Sequence, residues 1–233
     1  LTDLDELLQG SADHKMDAPG PEGEVLLHGE NGRKIRALTV NQKCLVEEGT
    51  KNDLLIAVGP AGTGKTYTAI AMAVKALRER EVKRIILTRP AVEAGEKLGF
   101  LPGDFKDKLD PYLQPLYDAL RDMIQPRKLI QFMEDGTIQI APLAYMRGRT
   151  LDHAFVILDV AQNATVNQFK MFLTRMGPNA RFIVTGDDSQ VDLPPREESG
   201  LIQGMRILDG IKGISIIRFD DRDIIRHRLV KSI

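Results

Sequence analysis

The residues best suited to chemistry form a glycine-rich loop over 59–66, which reads Gly-Pro-Ala-Gly-Thr-Gly-Lys-Thr. This loop fits the phosphate-loop pattern GxxxxGK[ST], with an apolar run over 53–58 before it and an amphipathic run over 67–77 after it. A glycine-rich turn that merely precedes an ordinary helix is the structural alternative. The strand before and the helix after favour nucleotide phosphate binding, with contacts from Gly59, Pro60, Ala61, Gly62, Thr63, Gly64, Lys65, Thr66 and Tyr67.

The residue types in this loop match the needs of a triphosphate. Glycines let successive backbone N–H groups turn inward onto phosphate oxygens, and the helix that follows directs its positive dipole end at the same place. Lys65 supplies a mobile charge for the β- and γ-phosphates, and the Thr66 hydroxyl is a ligand for Mg²⁺. We therefore expect a nucleoside triphosphate and Mg²⁺ as ligands, with Lys65 as a catalytic group.

Two polar residues follow later apolar strands. Asp159 comes directly after the run over 155–158, where a carboxylate can hold Mg²⁺ together with Thr66. Gln190 belongs to a polar cluster after the run over 181–185 and can touch the γ-phosphate or orient the attacking water, although a plain surface-loop residue is the alternative. Because the carboxyl ends of parallel strands share one crevice, both residues are predicted beside the phosphate loop.

Gln42 lies upstream of the phosphate loop, in a predicted helix over 41–48. Its side-chain amide offers a donor and an acceptor together, which is the combination that reads an adenine edge. The alternative is a solvated glutamine on a helix surface. The preference for a purine depends on this residue alone.

The elements that must position these residues alternate along the chain. An Asn-Gly pair at 31–32 predicts a small hairpin between 24–28 and 34–38. Pro111 and Pro115 are expected to interrupt helical segments within 105–124, and 91–103 is expected to be a long surface excursion. The other predicted strands lie over 53–58, 85–88, 137–141, 155–158, 181–185 and 214–217, and the other helices over 64–79, 128–133, 165–176, 200–208 and from about 221. This α/β alternation predicts a mostly parallel sheet covered by helices on both faces.

Length and composition suit one sizeable domain. The chain has 233 residues, a hydrophobic content of 42% and a net charge of −1, so no overall basic field indicates nucleic-acid binding. We expect a lead-in and hairpin over 1–34 and one nucleotide-binding domain over 35–233.

Cys44 is the only cysteine, so no internal disulfide can form, and it is interpreted as a core residue rather than a reactive thiol. Without a signal peptide or membrane-length apolar run, a soluble cytoplasmic protein with no membrane partner is expected.

Further motifs give the chain a specific resemblance. It resembles the PhoH-like family of bacterial ATPases, which is related to the motor core of superfamily-one helicases. The motifs that carry the resemblance are the phosphate loop, the long glycine-rich segment 89–103, the segment 141–151 with its Met-Arg-Gly-Arg stretch, and the motifs at 158–163, 172–175, 184–194 and 226–227. The resemblance covers the chain from about residue 35 to its end.

The resemblance implies more than the residues alone. It implies a RecA-like P-loop NTPase domain that binds and hydrolyses ATP, a role in RNA metabolism with an RNA or RNA-processing protein as partner, and ring-shaped homo-oligomers such as hexamers. Gln42 matches the glutamine that reads adenine in such helicases. Four arginines become candidates for contacts with the γ-phosphate, a neighbouring subunit or nucleic acid, against ordinary structural ion pairs as the alternative: Arg89, Arg147, Arg149 and Arg226.

One residue departs from the family pattern. The family has Asp-Glu-Ala-Gln after the metal strand, whereas this chain has Asp159-Val160-Ala161-Gln162. Valine cannot accept a proton from the attacking water, and a positioned general base contributes about 10²- to 10⁴-fold. We therefore expect slow hydrolysis unless another carboxylate substitutes, or else a nucleotide-dependent switch or scaffold without useful turnover. The substitutes considered are Glu93, Glu96, Asp187 and Asp188.

Overall fold

A computed structural model describes residues 25–90 and 105–225. Within these ranges the strands are β1 (Val25–His28), β2 (Lys34–Arg36), β3 (Leu54–Val58), β4 (Arg84–Arg89), β5 (Ile138–Pro142), β6 (Ala154–Leu158), β7 (Arg181–Gly186) and β8 (Ile214–Arg218). The α-helices are α1 (Val40–Glu48), α2 (Lys65–Arg78), α3 (Phe105–Met123), α4 (Pro126–Glu134), α5 (Val166–Leu173) and α6 (Gly200–Leu208). Short 3₁₀ turns lie at Glu30–Gly32, Leu143–Met146, Ala161–Asn163 and Asp221–Asp223.

Six strands form one parallel sheet in the order β5-β4-β6-β7-β3-β8. The sequences of β3 and β6, Leu-Leu-Ile-Ala-Val and Ala-Phe-Val-Ile-Leu, are buried at every position, as expected for strands that are covered on both faces. The parallel α/β sheet predicted from the sequence is confirmed.

Alternate residues of β3 enter two different hydrophobic cores. Leu55 and Ala57 pack with α2, α3 and the hairpin strands, while Leu54, Ile56 and Val58 pack on the other face with α5 and α6. The helices thus cover both faces of the sheet, and all carboxyl ends of its strands point to one edge.

The predicted hairpin is present, with β1 and β2 paired antiparallel. Its connection is not a two-residue turn. A 3₁₀ turn over Glu30–Gly32 joins the strands, with Gly32 at φ 74° and the Gly29 N–H donating to the Arg33 carbonyl at 2.7 Å. The hairpin residues Leu26, Leu27 and Ile35 are buried in the same core as α2.

Two predictions about helices were wrong. Pro111 and Pro115 do not interrupt the helical segment, since α3 runs unbroken over Phe105–Met123. Its buried residues, Leu113, Leu116, Leu120 and Met123 among them, pack in the core, and this packing offsets the backbone hydrogen bonds that prolines remove.

The helix predicted from about 221 is absent as far as residue 225. The chain instead forms the 3₁₀ turn Asp221–Asp223, which a capping box between Asp220 and Asp223 closes. Residues 226–233 and the predicted excursion over 91–103 lie outside the described ranges. Among the helices that are described, none is long and apolar enough to cross a membrane.

Candidate nucleotide-binding site

The carboxyl ends of β3, β4, β6 and β7 surround a cleft of about 500 Å³. It brings together Lys65, Thr66, Tyr67, Asp159 and Gln190, which the sequence predicted as one site. A slightly larger cleft of about 550 Å³ lies at the far end of α2, beside Arg78, and none of the predicted site residues lines it. The cleft above the sheet is therefore the candidate functional site.

The glycines of the phosphate loop have two structural roles. Gly59, Gly62 and Gly64 have φ values of 144°, 83° and 79°, which side-chain-bearing residues rarely adopt. A Cβ atom on Gly59 would also lie 2.2 Å from the carbonyl oxygen of Phe219, and one on Gly64 would lie 2.7 Å from the side-chain nitrogen of Gln42. The loop can adopt this shape only with glycine at these positions.

Lys65 is buried against its own loop. Its Nζ donates to the carbonyl oxygens of Gly59 and Pro60, each at 2.6 Å, and to the Thr63 hydroxyl at 3.1 Å. Burial lowers the pKa of the Lys65 ammonium, while the charges of Asp187 and Asp159 act in the opposite direction. The ammonium therefore sits inside the loop that would surround a phosphate, held by carbonyls that a triphosphate would have to replace.

Asp159 is the centre of the polar contacts in the cleft. Its Oδ1 accepts hydrogen bonds from the Thr66 hydroxyl at 2.7 Å and the Thr185 hydroxyl at 2.6 Å. Its Oδ2 accepts from Arg89 Nε at 2.7 Å and pairs with a second guanidinium nitrogen of Arg89. The side chains of Asp159 and Arg89 are 5% and 17% exposed, so this is a buried ion pair.

The donor set suits Mg²⁺. Thr66 and Asp159 present a hydroxyl and a carboxylate oxygen in direct contact, and hard cations prefer oxygen ligands. Arg89 already places positive charge against the same carboxylate. No group of three or more His, Cys, Asp or Glu residues in the described ranges could hold a metal alone, which agrees with the usual reliance of Mg²⁺ on phosphate oxygens and water.

Val160 has an unusual backbone. It lies in the left-handed region, with φ 54° and ψ 40°, and its side chain lines the cleft. A β-branched residue is a marked outlier there, at a cost of about 1–2 kcal/mol. The buried 3₁₀ turn Ala161–Asn163 follows directly, so the surrounding structure imposes this conformation.

The loop that carries Gln190 is anchored to the turn after Val160. Asp187 N–H donates to Gln162 Oε1 at 3.0 Å, while Asn163 and Asp192 exchange hydrogen bonds of 2.8 and 3.0 Å. Gln190 itself is exposed and lines the cleft. Sequence reasoning placed Gln162, Asn163 and Asp192 in motifs of the resemblance but assigned them no contact.

Gln42 is not a solvated surface residue. It is 3% exposed, its Oε1 accepts from Leu38 N–H at 2.8 Å, and its Nε2 donates to the Thr63 carbonyl at 2.9 Å. The side chain therefore supports the phosphate loop from behind. Its predicted reading of adenine is not tested by these contacts and stays a prediction.

The segment over 223–225 packs near the same loop, a contact that the sequence did not predict. Ile225 N–H donates to the Gly62 carbonyl at 3.1 Å, and Asn41 Nδ2 donates to the buried Asp223 carboxylate at 2.7 Å. Tyr67 lines the cleft, and its hydroxyl donates to Asp122 on α3 at 3.2 Å.

Of the three candidate arginines within the described residues, Arg89 lines the cleft and the other two do not. Arg149 donates to Gln139 Oε1 at 2.7 Å, and Arg147 is exposed on the turn after β5. Arg226 lies outside the described residues, as do Glu93 and Glu96. Of the remaining substitutes for the missing glutamate, Asp187 lines the cleft, whereas Asp188 is exposed and pairs with Arg218 at 3.6 Å.

Replacing Gln42 by Leu should weaken both the fold and nucleotide binding. The change leaves the Thr63 carbonyl and Leu38 N–H without their partner, which costs about 1–3 kcal/mol of unfolding free energy. We expect this loss in urea denaturation, together with about tenfold weaker Mg-ATP binding by calorimetry. If Gln42 also reads adenine, the loss of affinity will be larger for ATP than for GTP.

Gln131→Leu is the matched control, because Gln131 is exposed on α4. Its unfolding free energy should change by less than about 0.5 kcal/mol. Equal stability and affinity in Gln42→Leu and the unmodified protein would contradict the supporting role.

Comparison with known proteins identifies the family of this chain. The family model described as "PhoH-like protein" matches residues 34–233. The PhoH-like protein of Bacillus subtilis (strain 168) is 56% identical over 210 residues, which cover 90% of this chain and 66% of that protein. The PhoH-like protein of Mycobacterium tuberculosis (strain ATCC 25618 / H37Rv) is 55% identical over 202 residues, which cover 87% of this chain and 57% of that protein.

A solved structure shares the fold at low sequence identity. The UvsW helicase from bacteriophage T4 aligns with a TM-score of 0.50 and 14% identity, covering 93% of this chain and 67% of that one. The chain spans between 57% and 66% of the length of the two curated relatives described above. Because the family model extends over most of the chain and the identities to its members exceed one half, this chain belongs to the PhoH-like protein family.

Proposed function

We propose that this chain binds ATP with Mg²⁺ and hydrolyses the ATP slowly. The observation that carries the proposal is the direct contact of 2.7 Å between the Thr66 hydroxyl and the Asp159 carboxylate, at the mouth of the phosphate loop. The two residues come from elements distant in sequence, and both have the oxygen ligands that a Mg²⁺ ion bridging phosphates requires. Membership of the PhoH-like family and a helicase-like fold agree with this function.

Each residue of the cleft has a proposed role that follows from its position. Backbone N–H groups of the loop around Gly62 and Gly64 bind phosphate oxygens, and the start of α2 adds its dipole. Lys65 leaves the loop carbonyls to neutralise the β- and γ-phosphates. Bound Mg²⁺, held by Thr66 and Asp159, would supply charge neutralisation of the leaving phosphates.

Arg89 and Gln190 complete the proposed site. When a cation binds Asp159, the guanidinium of Arg89 loses its partner and can pair with phosphate oxygens, a geometry to which its planar fork is suited. Gln190 lines the cleft on a loop anchored to the turn after Val160, so its amide can contact the γ-phosphate.

Slow hydrolysis follows from Val160. Its side chain lines the cleft at the position where the family pattern has glutamate, and it has no atom that accepts a proton. The binding groups, by contrast, are intact. The missing base favours a second candidate function, a nucleotide-dependent switch or scaffold in which ATP occupancy orders an assembly or docks a partner.

We extend the proposal to assembly and RNA on the strength of the family resemblance. A ring of identical subunits, such as a hexamer, would supply an arginine from a neighbour to each site. For RNA, the exposed Tyr145 and Arg147 lie at the carboxyl edge of the sheet, where an aromatic ring and a guanidinium can stack on bases and pair with phosphates.

Lys65→Ala tests whether the cleft binds nucleotide. Removing a charged partner of the phosphates should weaken Mg-ATP binding by about 10- to 100-fold in calorimetry. Lys51→Ala, which removes an exposed ammonium paired with Glu48, should bind as the unmodified protein does. The proposal fails if folded protein takes up no ATP at millimolar concentration with Mg²⁺, or if both variants bind equally well.

Val160→Glu tests the cause of slow turnover. Supplying the absent proton acceptor should raise kcat by about 10²-fold or more in a multiple-turnover phosphate-release assay. Val160→Gly is the control, because it relieves the left-handed strain and should raise the unfolding free energy by about 1 kcal/mol without raising kcat. A similar rate gain in both variants would mean that strain, rather than the missing carboxylate, limits hydrolysis.

Assembly measurements separate the ATPase from the switch. Sedimentation of the unmodified protein should show a larger complex with Mg-ATP than with Mg-ADP if nucleotide occupancy orders a ring, and Lys65→Ala should not respond. A monomer at micromolar protein concentration with saturating ATP would contradict the ring. A nucleotide-dependent ring with kcat near zero would favour the switch.

A further inference from the structure

The two carboxylate oxygens of Asp187 differ in their hydrogen bonds. Oδ1 accepts hydrogen bonds from the Ser189 N–H at 3.0 Å and the Ser189 hydroxyl at 2.6 Å. Oδ2 is buried without a hydrogen-bond partner, one of four such side-chain atoms in the described part of the chain. Asp187 is 6% exposed. A buried carboxylate oxygen without a partner is costly, so it calls for a functional explanation.

The backbone of Asp187 is fixed on both sides of the cleft. The carbonyl of Gly186, the residue before Asp187, accepts a hydrogen bond from Gly59 N–H at 3.1 Å. This bond connects the Asp187 backbone to the phosphate loop. The Asp187 N–H donates to Gln162 Oε1 at 3.0 Å, and Gln162 lies in the turn that begins after Val160. Asp187 is therefore held between the loop that would carry the phosphates and the position where the family pattern has its glutamate.

The other carboxylates of the described cleft are committed elsewhere. Both oxygens of Asp159 accept hydrogen bonds, from two threonines and from Arg89. Asp192 exchanges hydrogen bonds with Asn163 and is exposed. Among these carboxylates, Asp187 alone combines burial, a position in the cleft and a carboxylate oxygen without a hydrogen-bond partner.

We propose that Asp187 is the general base for the slow residual hydrolysis of this chain, in place of the better placed glutamate that the family pattern has at position 160. The inference rests on the proposed ATPase function. A water molecule that reaches Asp187 when nucleotide binds gives a proton to its Oδ2, while the water oxygen forms a bond to the γ-phosphorus. The bond between the γ-phosphorus and the bridging oxygen of ADP breaks, and ADP keeps that electron pair. The proton then passes from the carboxyl group to solvent, so that ADP and inorganic phosphate leave and the enzyme is restored.

Asp187→Asn is the most direct test, because asparagine keeps an oxygen for Ser189 and removes only the charge and basicity. We expect kcat to fall by about 10²-fold or more, while the Kd for a non-hydrolysable ATP analogue with Mg²⁺ changes by less than about threefold. Asp209→Asn, at an exposed site after α6, should keep the kcat of the unmodified protein.

A double variant distinguishes proton transfer from a structural role. In the Val160→Glu background a second carboxylate is present, so adding Asp187→Asn should lower kcat by less than about tenfold. An equal loss in both backgrounds would mean that Asp187 only shapes the loop, and the proposal would be wrong. Unchanged kcat in Asp187→Asn, or a loss seen only in Asp188→Asn, would also overturn it.

Two further measurements cover folding and binding. If Asp187→Asn fails to unfold cooperatively, Asp187→Glu takes its place, and the proposal then requires this variant to keep at least about a tenth of the kcat of the unmodified protein. If the unmodified protein does not bind the analogue, the proposed function itself fails. If it binds the analogue and Asp187→Asn has normal turnover, only the assignment of the base fails.

Discussion

The hydrogen-bonded carboxylate of Asp159 is the interaction on which the site depends. Asp159 lies directly after β6 and joins groups from three other elements: Thr66 in the first turn of α2, Arg89 at the end of β4, and Thr185 in β7. A buried carboxylate must be paired, because an unpaired charge in the interior costs several kcal/mol. The parallel register of the sheet helps to meet that requirement by bringing Arg89, Asp159 and Thr185 to one edge, where α2 begins.

The same network makes the cleft responsive to charge. Arg89 neutralises Asp159, and loop carbonyls hold Lys65, so the cleft balances its own charges in this conformation. A triphosphate with its cation would compete for both positive groups at once. Arg89 also donates a hydrogen bond to the backbone carbonyl of Tyr112 on α3. If Arg89 moved away from Asp159, its contact with α3 would therefore change as well. Under the proposed function, nucleotide binding would thereby be linked to a helix that is distant in sequence, which either a motor or a switch requires.

Local pattern was sufficient to predict much of the fold and the core of the site. The six parallel strands are short apolar runs that flank polar turns, and such runs are visible in sequence. Lys65, Thr66 and Asp159 were predicted together because strand-end positions converge in any parallel sheet. What local pattern missed depends on tertiary contacts: the unbroken α3 across two prolines, and the role of Gln42 behind Thr63. Prolines forbid hydrogen bonds locally, but only the packing of the whole helix decides whether that cost is offset.

The conformation of Val160 shows that the shape and the chemistry of this site have separate origins. The left-handed region is unfavourable for a β-branched residue, so neighbouring contacts must impose this backbone conformation on Val160. These contacts are the buried turn Ala161–Asn163 and the hydrogen bond between Gln162 and Asp187. That geometry persists although the side chain at 160 has no proton acceptor. Binding groups on the phosphate loop and at Asp159 do not depend on residue 160 for their contacts. The proposed phosphate and magnesium ligands can therefore keep their arrangement whatever side chain stands at position 160. The same frame holds Asp187 beside them, with one carboxylate oxygen bonded to Ser189 and the other without a hydrogen-bond partner.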